Sequence, residues 1–214
     1  MGQHITANLR SVALVGHGAA GKTTLAETLL ATTGTITSRG AIEKGNTVCD
    51  FDPQEKELRH SINSAIVGFN WLDYHIHLVD TPGFPDFAGQ AIGALAAVDT
   101  AVIVINAQNG IELNTERMMK AAAARKLCRM IVINKIDADN VDLPKLLANI
   151  RDRFGHECML LNLPTKNGQD VINVLDHADG ESDFESVAEA HRAIIDQIVE
   201  EDEDLLAKYL EDGE

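Results

Sequence analysis

The chain has 214 residues, a formal net charge of −15, 45% apolar residues and 4% aromatic residues. That length and apolar content fit one core-forming domain or one domain plus a small appendage. The acidic surface and the scarcity of stacking rings argue against a broad nucleic-acid-binding face. Cys49, Cys128 and Cys158 share no metal-ligand spacing and are expected to be buried or half-buried free thiols. No apolar run reaches transmembrane length, and the N-terminus lacks a basic start followed by an apolar stretch, so a cytoplasmic protein is expected.

In chain order, Val12-Ala13-Leu14-Val15 predicts one buried strand, and Gly16 to Thr23 follows it directly. Those eight residues, Gly16-His17-Gly18-Ala19-Ala20-Gly21-Lys22-Thr23, fit G-x-x-x-x-G-K-[ST]. The glycines let successive backbone N–H groups turn inward toward a phosphate chain, and the next helix adds the positive end of its dipole. Lys22 supplies a point charge for the β- and γ-phosphates, and the Thr23 hydroxyl is a Mg²⁺ ligand. Thr24 to Leu30 then predicts that helix, with Leu25, Leu29 and Leu30 on one side. His17 is expected to serve the loop through its backbone alone.

Thr32 to His60 is polar and aperiodic, with Gly34, Gly40 and Gly45, and reads as a long functional or mobile loop. Strands are predicted over Ser61–Phe69 and His75–Val79, with Trp71 and Tyr74 packing their hairpin. His75 and His77 share a strand face, where a surface or hairpin role outweighs a metal pair that lacks a third ligand. Asp80-Thr81-Pro82-Gly83 ends the second strand. A carboxylate there suits Mg²⁺ held through water, and the Gly83 N–H suits a γ-phosphate.

A helix over Ala88–Ala97, a strand over Ala101–Ile105, a helix over Leu113–Arg125 and a strand over Met130–Ile133 follow, with Met118 and Met119 as core filler. Apolar runs without alternation suit parallel strands covered on both faces, a three-layer α/β sandwich. Asn134-Lys135-Ile136-Asp137 explains base choice. The Asp137 carboxylate can accept both the N1–H and the exocyclic amine of guanine, whereas adenine presents a lone pair at N1. Asn134 can tie the base site to the loop, and the Lys135 stem can lie over the ring. The ligand expected is GTP or GDP with Mg²⁺. Farther on, a helix over Leu143–Phe154, strands within Cys158–Leu163 and Val171–Leu175, and a helix over Ser186–Leu210 are expected. The apolar side of that last helix carries Val187, Ala190, Ile194, Ile198, Leu205 and Tyr209. The proposed division is 1–157 for the nucleotide core and 158–214 for the start of an inserted subdomain.

These three elements in this order resemble the GTPase superfamily. Asp80-Thr81-Pro82-Gly83-Phe84-Pro85-Asp86-Phe87 is similar to a run in translational GTPases, and Gln54-Glu55-Lys56-Glu57 resembles the end of the first switch loop of elongation factor G. Glu203-Asp204-Leu205-Leu206-Ala207-Lys208-Tyr209-Leu210-Glu211 is similar to another segment of that factor. The resemblance implies a P-loop GTPase fold with a partial inserted subdomain. It implies a nucleotide set of Gly16 to Thr24, Asp80 to Phe84, Asn134, Lys135 and Asp137. Metal ligands would be Thr23, Ser61 and Asp80, with Lys22 and Gly83 catalytic. The factor's water-positioning His corresponds to Phe84, its first-switch Thr to Ser61, and its phosphate-loop Asp to Ala19, as in elongation factor G-like paralogues. A monomer with slow intrinsic hydrolysis, accelerated by the ribosome in a longer protein, is expected. No Ser-Ala guanine-site element follows Asp137, so a fragment with weakened nucleotide affinity is also expected. The rival readings are a nucleotide-dependent binding module with little hydrolysis and an ATP-using small-molecule kinase, which leaves Asn134 to Asp137 unexplained.

Overall fold

Five apolar runs become the five strands of one sheet: β1 (Leu9–Gly16), β2 (Ala65–Trp71), β3 (Tyr74–Asp80), β4 (Thr100–Asn106) and β5 (Cys128–Asn134). The computed structural model describes residues 5–200 and Leu206. Strand order is β2-β3-β1-β4-β5, with β1 parallel to β3 and β4, β4 parallel to β5, and β2 antiparallel at the edge. The chain therefore runs from β1 to the edge strand β2, returns through β3 beside β1, and then crosses to β4 and β5 on the other side. Such a reversal opens a crevice at the carboxyl ends of the central strands. Register places Leu14 beside Asp80, Gly16 beside Val104 and Asn106 beside Asn134, so the ends of β1, β3, β4 and β5 lie along one rim.

Strand alternation divides the core. Leu14, Leu78, Val102 and Val104 pack with Ala26 and Leu30 of α1 (Lys22–Thr32) and with Ala65 and Phe69 of β2. Ala13, Val15, Ala101, Ile103 and Ile105 point the other way and are buried. α4 (Leu113–Ala124) runs along β1, β4 and β5 and buries Met118, Met119 and Ala122. The three-layer α/β architecture expected from the apolar runs is the one observed. α3 (Ala88–Ala94) completes this part of the chain.

The segment 32–60 corrects the expectation of a structureless loop. It contains α2 (Pro53–Leu58), opened by a capping box in which Asp52 accepts from Gln54 N and Glu55 accepts from Asp52 N. Asp-Pro-x-Glu is the sequence signature of such a start, with Pro at the first helical position. Ser61 is not in a strand, because pairing with β3 begins at Ala65 opposite Asp80. Trp71 stays half-exposed, and Tyr74 carries the Arg10 guanidinium 4.5 Å above its ring. Cys49 is buried and Cys158 half-buried, but Cys128 at the start of β5 is exposed; none of the three is in a disulfide.

The chain divides into two compact units, 1–134 and 135–214, earlier than the 157/158 boundary read from the sequence. β5 is the last strand of the sheet, so the chain leaves it at Asn134. The second unit contains α5 (Leu143–Phe154), capped by Asp142 on Lys145 N at 3.0 Å, and the antiparallel hairpin β6 (Asn162–Thr165) and β7 (Asp170–Asn173). Its last described element is α6 (Val187–Glu200). The hairpin starts later than the apolar run suggests, because Met159 and Leu160 pack against the core of Leu163, Val174, Val187, Ala190 and Ile194 rather than pair. On α6, Val199 is buried and Ile198 is exposed. Leu205, Tyr209 and most of 203–211 lie outside the described residues. Among the described residues, no helix is long and apolar enough to cross a membrane.

Candidate functional site

The loop from Gly16 to Gly21 joins the end of β1 to α1, and its conformation demands the residues found there. Gly21 adopts φ 96°, and a Cβ there would stand 2.3 Å from Asn134 Nδ2. Ala19 takes φ 58°, a left-handed turn, and is exposed, while Ala20 is fully buried. Thr24 lies exposed in the first turn of α1. Lys22 is buried, and its Nζ donates to the His17 carbonyl at 2.7 Å. Burial pulls its pKa down to about 8, against the opposing pull of Asp80 and Glu112.

At the base of the loop, Thr23 Oγ1 donates to Asp80 Oδ2 at 2.7 Å and lies 3.2 Å from Ser61 Oγ. Thus α1, the end of β3 and the segment after α2 bring the three expected metal ligands together. Asp80 is 2% exposed, and its Oδ1 has no hydrogen-bond partner among the described residues. Burial raises this carboxyl to about 7, more than the Thr23 hydrogen bond and Lys22 lower it. Two hydroxyls and a carboxylate with one buried oxygen left unpartnered among the described residues form a hard oxygen set, which fits Mg²⁺.

Three carboxylates that the sequence reading did not assign to the site complete this region. Ser61 Oγ donates to Asp50 Oδ1 at 2.7 Å, and Thr47 Oγ1 donates to Asp50 Oδ2 at 3.1 Å. Glu27 of α1 is fully buried and accepts from Gly40 N at 3.0 Å and Val48 N at 2.5 Å. Glu55 of α2 is also buried, and it accepts from Ile62 N and Asn63 N, both at 2.9 Å. A buried carboxylate taking backbone N–H groups orders a loop that lacks periodicity of its own. The Asp-Pro-x-Glu capping signature is a local signal that could have found Glu55; Glu27 and Asp50 carry none. The nearby Cys49 thiol is pushed up, above all by burial.

The segment after β3 is held equally closely. Thr81 Oγ1 donates to the Leu14 carbonyl at 2.6 Å, and Pro82 and Gly83 are buried. Gly83 sits so near the loop that a Cβ would meet Lys22 Nζ at 2.3 Å and the His17 carbonyl at 2.4 Å. Phe84 is 40% exposed, its ring lies over Gly18, and the His60 ring stands 4.6 Å from it, centroid to centroid. His17 does more than lend its backbone. Its imidazole is 1% exposed, with Nδ1 3.0 Å from Thr115 Oγ1 and Nε2 accepting from Asn106 N at 3.4 Å.

Asn134, at the end of β5, donates from Nδ2 to the Ala20 carbonyl at 2.9 Å, the tie to the loop expected from the sequence. Lys135 (φ 61°) and Asp137 are exposed and open the second unit just past that strand. The His75 and His77 rings contact each other edge to face at 4.7 Å, and the described residues contain no metal-ready group of three or more His, Cys, Asp or Glu.

A glycine-bearing loop after β1, hydroxyl and carboxylate oxygens gathered at its base and an asparagine tied to it along one rim agree with what the chain is similar to. The family described as Elongation factor Tu GTP binding domain matches residues 7–212. An elongation factor G-like protein of Mycobacterium tuberculosis (strain ATCC 25618 / H37Rv) is 35% identical over 217 residues, covering 94% of this chain and 30% of that protein. Mitochondrial ribosome-releasing factor 2 of Drosophila melanogaster is 34% identical over 171 residues, covering 80% of this chain and 23% of the factor. A Thermus thermophilus protein of known crystal structure superposes with a TM-score of 0.84 at 35% identity, covering 96% of this chain and 33% of that one. The chain thus spans about a third or less of the length of these relatives. It belongs to the elongation factor Tu GTP-binding domain family and is similar within it to the elongation factor G-like translational GTPases.

Proposed function

We propose that the chain is a Mg²⁺-dependent GTP-binding switch domain that hydrolyses GTP slowly and belongs to a cytoplasmic factor working as a monomer on the ribosome. The observation that carries this is Lys22. Its ammonium is buried at the loop with the neutral His17 carbonyl as its 2.7 Å partner, beside a glycine that leaves no room for a side chain. A triphosphate supplies the anion that such a buried cation calls for.

On binding, Lys22 would exchange the His17 carbonyl for phosphate oxygens, and the loop N–H groups would take the remainder. Thr23, Ser61 and Asp80 would hold Mg²⁺, which neutralises charge on the β- and γ-phosphate oxygens when bound. The Gly83 N–H would meet the γ-phosphate. Ser61 and Gly83 would then report its presence to 32–60 and to the segment after Asp80, and its loss would release both.

Phe84 can neither accept nor donate a proton to water, so the ring can only wall the site. Single-turnover hydrolysis by the isolated chain is expected on the order of 10⁻³ s⁻¹, the range of unassisted GTPases, with ribosomes accelerating a longer protein that carries these residues. Fast turnover by the isolated chain, undiminished in Phe84→Ala, would contradict this. Phe84 also favours one second reading, a GTP-dependent binding module with almost no hydrolysis. Product analysis after long incubation separates the two.

Base choice gives a separate test. Asp137→Asn keeps the shape but removes the double acceptor for guanine. Competition binding should show the preference for GTP over ATP falling by about 100-fold. An unchanged preference would remove Asp137 from the base site.

A further inference from the structure

α4 does more than cover the sheet, because its first turn grips both the phosphate loop and the segment after β3. Asn114, 6% exposed, donates from Nδ2 to the Gly16 carbonyl at 3.1 Å and to the Gly83 carbonyl at 2.9 Å. Its Oδ1 is buried with no hydrogen-bond partner among the described residues. A side chain that serves packing alone does not leave an oxygen in that state. The neighbouring Thr115 hydroxyl meets His17 Nδ1 at 3.0 Å, and Glu112 Oε1 stands 3.6 Å from His17 Nε2. One helical turn thereby fixes Gly16, His17 and Gly83 in a single frame. Gly83 lies against Lys22 and the His17 carbonyl with no room for a Cβ.

We propose that Asn114 is a positioning residue for the GTP hydrolysis proposed above: by holding the Gly83 carbonyl, its carboxamide fixes Gly83, and with it the N–H that would meet a γ-phosphate, against the phosphate loop. The inference rests on the GTPase reading and makes a distinction that reading does not. A diphosphate needs the loop and Lys22; a triphosphate also needs Gly83 in place. Losing the two Asn114 donors should therefore separate the two nucleotides.

The test is Asn114→Leu, which keeps the γ-branched shape and removes the donors. GDP and a non-hydrolysable GTP analogue are titrated by fluorescence, with thermal melts in saturating GDP as the fold control. GDP affinity should stay within about threefold of wild type, while analogue affinity and the single-turnover rate each fall about tenfold or more. Equal losses for both nucleotides, no loss at all, or a gain in analogue affinity would overturn the proposal. Should N114L fail to fold, N114S, too short to reach both carbonyls, gives the same comparison. Wild-type protein that binds neither nucleotide would remove the function itself and leave a separate signature in the same titration.

Discussion

Lys22→Met is expected to lower GTP hydrolysis by at least about a thousandfold, the scale at which loss of a preorganised charge donor is felt, and to weaken triphosphate binding more than diphosphate binding. The cause is visible in the geometry around its ammonium. Nζ is buried, donates to the His17 carbonyl and stands beside Gly83, and burial takes its pKa from 10.5 to about 8. A lowered pKa means that the folded chain gives up this proton before the unfolded chain does. Stability of the nucleotide-free protein should therefore rise as pH climbs from about 8 to 10.5. The methionine variant lacks the charge and should lose that rise. Near pH 7 it should be more stable than wild type without nucleotide, by up to about 3 kcal/mol. Thermal melts with and without GTP check both halves. A variant less stable than wild type without nucleotide would show that the buried ammonium is a net stabiliser.

Most of the frame was legible because its signals are local. The loop needs glycines where Gly16 and Gly21 take positive φ, and the parallel strands need apolar runs such as Ala101–Ile105; both are sequence features. Thr23, Ser61 and Asp80 were placed by motif and by resemblance, and the fold brings their oxygens within hydrogen-bonding reach. What escaped notice depends on distant partners. Glu27 looks like an ordinary helix carboxylate until 32–60 wraps back so that Gly40 N and Val48 N reach it. Asp50 and Asn114 sit in stretches without a motif, and only the closed fold shows which hydroxyl and which carbonyls they meet. The part played by the His17 imidazole also depends on a distant partner, because α4 supplies the Thr115 hydroxyl that meets it.

Asp80→Asn should affect stability and metal dependence in opposite directions. The wild-type carboxyl is buried, has one oxygen unpaired among the described residues, and has its pKa raised from 3.8 to about 7, chiefly by burial. With a raised carboxyl, the stabilisation from the protonated form is complete below pH 3.8 and is lost as pH rises through about 7. Wild type without nucleotide should thus be more stable at pH 5 than at pH 8, by up to about 3 kcal/mol. The asparagine variant should lose this slope, since its amide carries no charge to desolvate and can still accept from Thr23. Mg²⁺ should reverse the order. A cation facing Asp80 neutralises the charge that burial opposes, so wild type should gain stability from Mg²⁺ with GTP at pH 8 and the variant should gain little. The tightening of GTP binding by Mg²⁺ should fall about 10- to 100-fold in the variant, as when a carboxylate is withdrawn from a metal site. Urea unfolding at both pH values, with Mg²⁺ or with EDTA, measures every term. A flat wild-type profile would mean that water reaches Asp80 and removes its desolvation. Full Mg²⁺ tightening in the variant would transfer the metal-holding role to Asp50, the carboxylate to which Ser61 Oγ donates.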